Sequence, residues 1–248
     1  MNRDIAIATH KLTKKFGDFI AANEITFEVN KGEIFGFLGA NGAGKTTAMR
    51  MLCGLSKPSS GEGQVAGFDV VRQAEKIKEN IGYMSQKFSL YEDLTVGENI
   101  QFFGGIYGLS RQVIKGKMTM LLEKIGLQDQ RDQLVKDLPL GWKQKLSFSV
   151  AIFHHPQIVF LDEPTGGVDP VTRRQFWDQI YEASDSGITV FVTTHYMDEA
   201  EYCNRVSMMV DGRIAALDSP SNLKERYQVA SMDEVFYELA RGAERKGD

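Results

Sequence analysis

The sequence predicts an α/β fold: a mostly parallel core sheet around a phosphate loop, with an antiparallel β subdomain and an inserted α-helical subdomain. Three observations predict it. The string Gly39-Ala40-Asn41-Gly42-Ala43-Gly44-Lys45-Thr46-Thr47 follows the apolar run Ile34–Leu38 and enters a helix-like run through Leu52. From Gly141 onward, strand-length apolar runs alternate with helix-length segments, which is the pattern of parallel α/β organisation. Between Leu90 and about Leu138 the pattern is helical instead.

Taken in order, Ile5–Ala8 and Ile25–Val29 alternate apolar and polar residues as half-buried antiparallel strands do, with Gly17-Asp18 as turn residues. Ile34–Leu38 is apolar throughout, as a strand covered on both faces requires. Ala43–Leu52 is the phosphate-loop helix, broken after its end by Pro58-Ser59-Ser60-Gly61. Gly63–Gly67 reads as an edge strand and Ile81–Met84 as a core strand. Thr95 with Glu98 forms a capping box ahead of an apolar face at Ile100, Phe103, Ile106 and Tyr107. Val113–Ile125 is a second helix, stopped by Gly126. Gly141–His154 is a third, leading into the strand Ile158–Leu161. Pro170–Ala183, Thr189–Thr193, a short helix at Met197–Tyr202, and strands at Val206–Val210 and Arg213–Leu217 continue the alternation. Ser219–Arg226 and Met232–Ala240 close the chain as small helices, and Arg241–Asp248 is expected to fray.

At 248 residues the chain can bury a substantial core. The net charge of −4 gives no reason to expect a nucleic-acid partner, and Lys11, Lys14 and Lys15 read as a solvated edge. No apolar stretch approaches the roughly eighteen residues a membrane helix needs. The start, Met1-Asn2-Arg3-Asp4, lacks the apolar core of a signal peptide, so a cytoplasmic location is expected. Cys53 and Cys203 read as small buried residues in a reducing compartment.

The chemistry begins at the loop. Glycines let backbone N–H groups turn inward around phosphate oxygens, and the following helix points its positive end at the same anion. In this pattern Lys45 reaches the β- and γ-phosphates and the Thr46 hydroxyl ligates Mg²⁺. A second motif, the apolar strand Ile158–Leu161, ends in Asp162-Glu163. An acid at such a strand end holds Mg²⁺ directly or through water, which suits Asp162. Glu163 stands one residue further on, where a carboxylate can orient and deprotonate an attacking water. His195 follows the buried strand Val190–Thr194 at the carboxyl edge where open α/β sheets bind ligands. Gln86 sits at a similar edge, with an amide able to touch Mg²⁺ or the water. His10, His154 and His155 are read as structural.

With these residues in place, the chain resembles the nucleotide-binding subunit of an ATP-binding cassette (ABC) transporter from about Ile7 to Leu239. The elements come in that family's order: the loop at Gly39–Thr47, the glutamine at Gln86, a signature segment at Leu138–Leu146, Asp162-Glu163, a D-loop at Gly166–Asp169 and the switch histidine His195. The resemblance implies a P-loop NTPase fold of ABC type, with residues 1–226 as the ATPase domain, the helical subdomain at about 88–155, and a short C-terminal helix and tail at 227–248. It implies that ATP is hydrolysed with Mg²⁺ held by Thr46, Gln86 and Asp162, and that His195 senses the γ-phosphate. It also matches Phe16 to the aromatic that stacks on adenine, against the alternative of a core phenylalanine. The segments Leu90–Asn99, His195–Glu201 and Asp233–Phe236 are similar to the ATPases of ABC-2-type exporters, the drug-resistance class. Two such domains then dimerise head to tail on a membrane permease at the inner face of the cell membrane. ATP lies between the loop of one domain and the signature of the other, and the surface near Gln86 to Tyr107 receives the permease.

The signature departs from the family. Where Leu-Ser-Gly-Gly-Gln is usual, this chain has Leu138-Pro139-Leu140-Gly141-Trp142, so the serine hydroxyl is lost to a residue that also lacks an N–H. One charge-assisted hydrogen bond is worth about 1.5–3 kcal/mol. The D-loop, Gly166-Gly167-Val168-Asp169, departs slightly, with Gly166 for serine and Val168 for leucine. Two identical copies that still close on ATP are expected, against pairing with a different cassette subunit. The rival function is a soluble ABC-type ATPase acting on ribosomes or DNA. One cassette, a short helical insert and an acidic balance speak against it.

Overall fold

The structure, a computed structural model, describes residues 4–86 and 90–244, with side chains to Arg241. Two sheets organise it. Strands β1 (Ile5–Phe16), β2 (Phe19–Asn30), β4 (Ser60–Val65) and β5 (Phe68–Asp69) form an antiparallel sheet in the order β2-β1-β4-β5. Strands β3 (Ile34–Gly39), β6 (Ile81–Met84), β7 (Ile158–Asp162), β8 (Thr189–Thr194), β9 (Arg205–Val210) and β10 (Arg213–Asp218) form the core sheet, ordered β10-β9-β3-β8-β7-β6. That sheet is parallel except for the β9–β10 hairpin.

Side-chain alternation sorts the core. Odd positions of β3 and β8 (Phe35, Phe37, Phe191) and even positions of β7 (Ile158, Phe160) face the antiparallel sheet and helix α1 (Lys45–Leu52). There Phe27 of β2 stacks on Phe35 with ring centres 5.5 Å apart. The opposite parity (Ile34, Leu38, Val159, Leu161, Val190, Val192) packs on α6 (Pro170–Asp185), α7 (Pro220–Tyr227) and α8 (Met232–Glu244). Short helix α2 (Ala74–Asn80) leads into β6. Between β6 and β7 stand α3 (Val96–Ile106), α4 (Arg111–Ile125) and α5 (Leu140–Ala151), with their own core around Ile100, Ile114, Leu122 and Leu146.

The expected stop and start signals are present. Gly126 caps α4 in the left-handed region at φ 72°, and the Thr95–Glu98 capping box closes with both hydrogen bonds. Thr95→Ala is expected to cost about 1 kcal/mol of unfolding free energy, read by urea denaturation, with nucleotide affinity unchanged.

Several expectations are corrected. The Gly63–Gly67 strand is not an edge: β4 pairs with β1 on one side and the unpredicted β5 on the other. Ile81–Met84 is largely buried but, among the described residues, pairs only with β7, at the end of the sheet. Ile106 is 61% exposed, because α4 and α5 cover the Ile100–Gly104 face and Ile106 points away from it. Helix α5 ends at Ala151, before His154, whose ring stacks on Tyr107 at 3.6 Å; burial pushes the His154 pKa down to about 4. Helix α8 continues through Arg241 to Glu244. Residues 245–248 of the expected tail, Met1–Arg3 of the start, and Lys87, Phe88 and Ser89 of the expected insert and docking surface lie outside the described residues. Cys53 and Cys203 are buried free thiols. Among the described residues, no helix is long and apolar enough to cross a membrane.

Candidate nucleotide site

The phosphate loop leaves β3 at the carboxyl edge of the core sheet, between its parallel neighbours β8 and β9, the edge where open α/β sheets bind ligands. Gly44 ends the loop at φ 99°, and a Cβ there would run into the Ala21 carbonyl oxygen. Being glycine, it caps α1 with no side-chain acceptor, so the first-turn N–H groups stay aimed at the loop. A cavity of about 340 Å³ lies against it, lined by Asn41, Gly42, Gly44, Lys45, Thr46 and Thr47 together with Phe19, Ala21, Gln86 and Glu163. That volume is within the usual range for small-molecule sites.

Lys45 is buried, and its Nζ donates to the carbonyl oxygens of Gly39 (2.8 Å) and Ala40 (3.1 Å) and lies 3.5 Å from Glu163 Oε1. Burial lowers the ammonium pKa, while the Glu163 and Asp162 carboxylates pull it back up. Its partners are thus acceptors that phosphate oxygens can replace.

Asp162 shares the parity of Phe160, so it faces α1. Thr46 Oγ1 donates to its Oδ1 at 3.2 Å and Thr193 Oγ1 at 2.7 Å. Burial raises the Asp162 pKa, and the Thr193 and Thr46 hydroxyls lower it again. Strand β7 is not the direct neighbour of β3, since β8 lies between them; Asp162 reaches Thr46 from one strand further away, past Thr193.

Glu163 takes a left-handed turn at φ 48°, fixed by its N–H donating to Thr193 O and Oγ1, both at 3.1 Å. The turn aims its carboxylate back at the loop. Gln86 Nε2 donates to Glu163 Oε2 at 3.0 Å, and His195 Nδ1 sits 3.0 Å from the same oxygen. Lys45, Gln86, Glu163 and His195 therefore meet around one carboxylate. The cluster fits a nucleoside triphosphate with Mg²⁺: the Thr46 hydroxyl and Asp162 carboxylate are oxygen ligands side by side, and among the described residues no side chain accepts from the loop N–H groups.

Phe16 is 55% exposed at the hairpin end, with Lys14 Nζ 5.1 Å above its ring, so the core alternative does not hold for it. Its cross-strand partner Phe19, not singled out from sequence, lines the cavity. Leu138 is buried; Pro139 is the N-cap of α5, without a side-chain acceptor; Leu140 is partly exposed; and a Cβ on Gly141 would lie 2.7 Å from Thr172. None of Leu138–Trp142 lines the loop cavity of its own chain. Gly167 and Val168 lead to Asp169, which caps α6 by accepting from the N–H groups of Val171 and Thr172.

Two further residues support the site. Thr193 read only as a strand residue, yet it positions both carboxylates. Glu199 is fully buried on a short 3₁₀ turn, accepting from Thr165 Oγ1 at 2.5 Å with Arg173 Nε 3.7 Å away, and so ties the segment after His195 to the loop after Glu163. A carboxylate standing between Asp198 and Glu201 in the sequence carries no local signal of burial.

Residues 22–166 match the ABC transporter family. The chain is 45% identical over 241 residues to the probable multidrug ABC transporter ATP-binding protein YbhF of Escherichia coli K12, covering 95% of this chain and 42% of that protein. It thus spans less than half of that relative. It is 35% identical over 227 residues to the Nod factor export ATP-binding protein I of Cupriavidus pinatubonensis, covering 91% and 70% respectively. Among solved structures, an ATP binding subunit of an ABC transporter superposes with a TM-score of 0.85 at 25% identity, covering 94% of this chain and 99% of that one.

Proposed function

Because the chain belongs to the ABC transporter family, we propose that it is the ATP-hydrolysing subunit that powers export through a separate ABC-2-type membrane permease. The observation that carries the reading is the convergence of Lys45, Gln86 and His195 on Glu163, with Asp162 and Thr46 hydrogen-bonded beside it. On this reading residues 1–226 are the ATPase domain, with a helical subdomain at about 88–155 and a C-terminal helix and tail at 227–248.

The triphosphate oxygens replace the Gly39 and Ala40 carbonyl oxygens as acceptors for Lys45 Nζ, and the phosphates lie along the loop N–H groups. Lys45 then leaves Glu163 for the β- and γ-phosphates, freeing the carboxylate for water. Mg²⁺, held by Thr46, Gln86 and Asp162, supplies charge neutralisation at the phosphates. Glu163 takes a proton from the attacking water, and His195, 3.0 Å away, holds the γ-phosphate side in register. Phe16 or its neighbour Phe19 gives the adenine an aromatic face.

The site is half of a whole. The segment Leu138–Trp142, which does not line the loop cavity of its own chain, closes over the phosphates of a second copy through the N–H groups and dipole at the start of α5. Pro139 offers no hydroxyl, so closure is weakened by about one charged hydrogen bond and persists. The D-loop residues Gly167, Val168 and Asp169 meet the same interface. The partners are a second nucleotide-binding domain and a permease at the inner face of the cell membrane, and no nucleic acid is involved. Membrane extracts pulled on this chain are expected to yield a polytopic membrane protein. Recovery of ribosomes or DNA in its place would favour the soluble-ATPase reading.

A further inference from the structure

Among the described residues, one polar contact holds the His195 ring, Nδ1 to Glu163 Oε2 at 3.0 Å, and the side chain is 31% exposed. A single contact fixes one ring atom and leaves the ring free to tilt about it. The next residue limits that tilt: the rings of His195 and Tyr196 lie 4.2 Å apart, centre to centre, 34° from parallel. The Tyr196 ring is in turn met by Arg173 of α6, whose guanidinium carbon stands 4.3 Å from the ring centre. That is well inside the reach of a cation over an aromatic face. Arg173 is itself fixed at the start of α6, where its backbone N–H donates to the Asp169 carbonyl oxygen at 2.9 Å. Its Nη1 donates to Asp198 Oδ2 at 3.4 Å, and its Nε lies 3.7 Å from Oε1 of the fully buried Glu199. These carboxylate contacts are long and do not form a two-pronged fork, so any cation could serve them. The close contact of Arg173 is the one with the ring, and it suits a planar guanidinium.

We propose that Arg173 is a positioning residue for His195, acting through the ring of Tyr196. His195 has here the role given to it above, holding the γ-phosphate side in register, and the inference rests on that reading. The guanidinium holds the Tyr196 ring, the ring limits the tilt of the imidazole, and the imidazole nitrogen that does not meet Glu163 is thereby aimed. Without the clamp ATP still binds at the loop, but fewer chains hold the imidazole aligned for the transition state. The loss therefore falls on kcat and spares KM. The same contacts join His195 to the start of α6, and so to the Gly166–Asp169 loop that the proposed function sets against a second copy.

The test is steady-state ATP turnover by the full chain, with a double-mutant cycle against His195→Ala. Arg173→Lys keeps a positive charge beside Glu199 and Asp198 and loses the planar face. Tyr196→Leu removes the ring and leaves Arg173 with its carboxylates. Each is expected to lower kcat about three- to tenfold, the size of a lost cation–ring contact, with KM for ATP within about twofold. Tyr196→Phe, which keeps the ring, is expected to retain most of kcat. In the His195→Ala background neither Arg173→Lys nor Tyr196→Leu should lower kcat further, because the group they position is gone. Undiminished kcat in either Arg173→Lys or Tyr196→Leu overturns the clamp. So do losses that multiply with that of His195→Ala, which would leave Arg173 and Tyr196 as packing and charge partners of the fold. If His195→Ala itself keeps full turnover, the reading of His195 and the clamp fail together; if it loses turnover while the losses multiply, the reading stands and the clamp falls.

Discussion

Glu163→Gln is expected to lower ATP turnover by roughly 10²- to 10⁴-fold, the range for loss of a positioned general base, while ATP binding is kept or tightened. The direction of the binding change follows from charge. In the free chain Glu163 lies 3.5 Å from Lys45 and competes with phosphate for it. The amide removes a negative charge from the rim of an anion site, yet it can still accept from Gln86 and His195 through its oxygen. Single-turnover hydrolysis and equilibrium binding of ATP separate the two effects. Retention of most turnover would assign the base elsewhere.

Lys45→Ala is expected to weaken ATP binding by about 1.5–3 kcal/mol per lost charged hydrogen bond, or roughly tenfold to a hundredfold for one such bond. Turnover should fall further, since transition-state charge on the phosphoryl oxygens is lost with it. The variant also leaves the Gly39 and Ala40 carbonyl oxygens without their buried donor, so a moderate loss of stability accompanies the change. Calorimetric titration with ATP checks the affinity, and a denaturant midpoint checks the stability. Unchanged affinity would mean that the loop N–H groups hold the phosphates without the lysine.

What was legible in the sequence was whatever is encoded locally. The loop is one string of nine residues, and its glycines, lysine and threonine are fixed by short-range geometry, so Gly39–Thr47 could be read directly. Thr95 with Glu98, and Gly126 after α4, were legible for the same reason. Asp162-Glu163 and His195 were visible because each ends an apolar strand, and strands of a parallel sheet end along one edge. Strand order was not visible: nothing local says that β8 stands between β3 and β7. The bridging role of Thr193 depends on that cross-strand register. Ile106 was placed on the wrong side because a periodic apolar face does not reveal where its covering helices stop. Strand β5 and helix α2 are too short for periodicity to register. Gln144 and Glu199 are polar residues in polar company, buried only by the tertiary fold.

In the proposed function the loop is half of a site completed by the Leu138–Trp142 segment of a second copy. The most direct test is the solution mass of Glu163→Gln, by light scattering, with and without ATP and Mg²⁺ over a range of protein concentrations. The expected mass is that of one chain without nucleotide and of two chains with it, reverting when Lys45→Ala is added. A single-chain mass at every concentration, with ATP demonstrably bound, would contradict it.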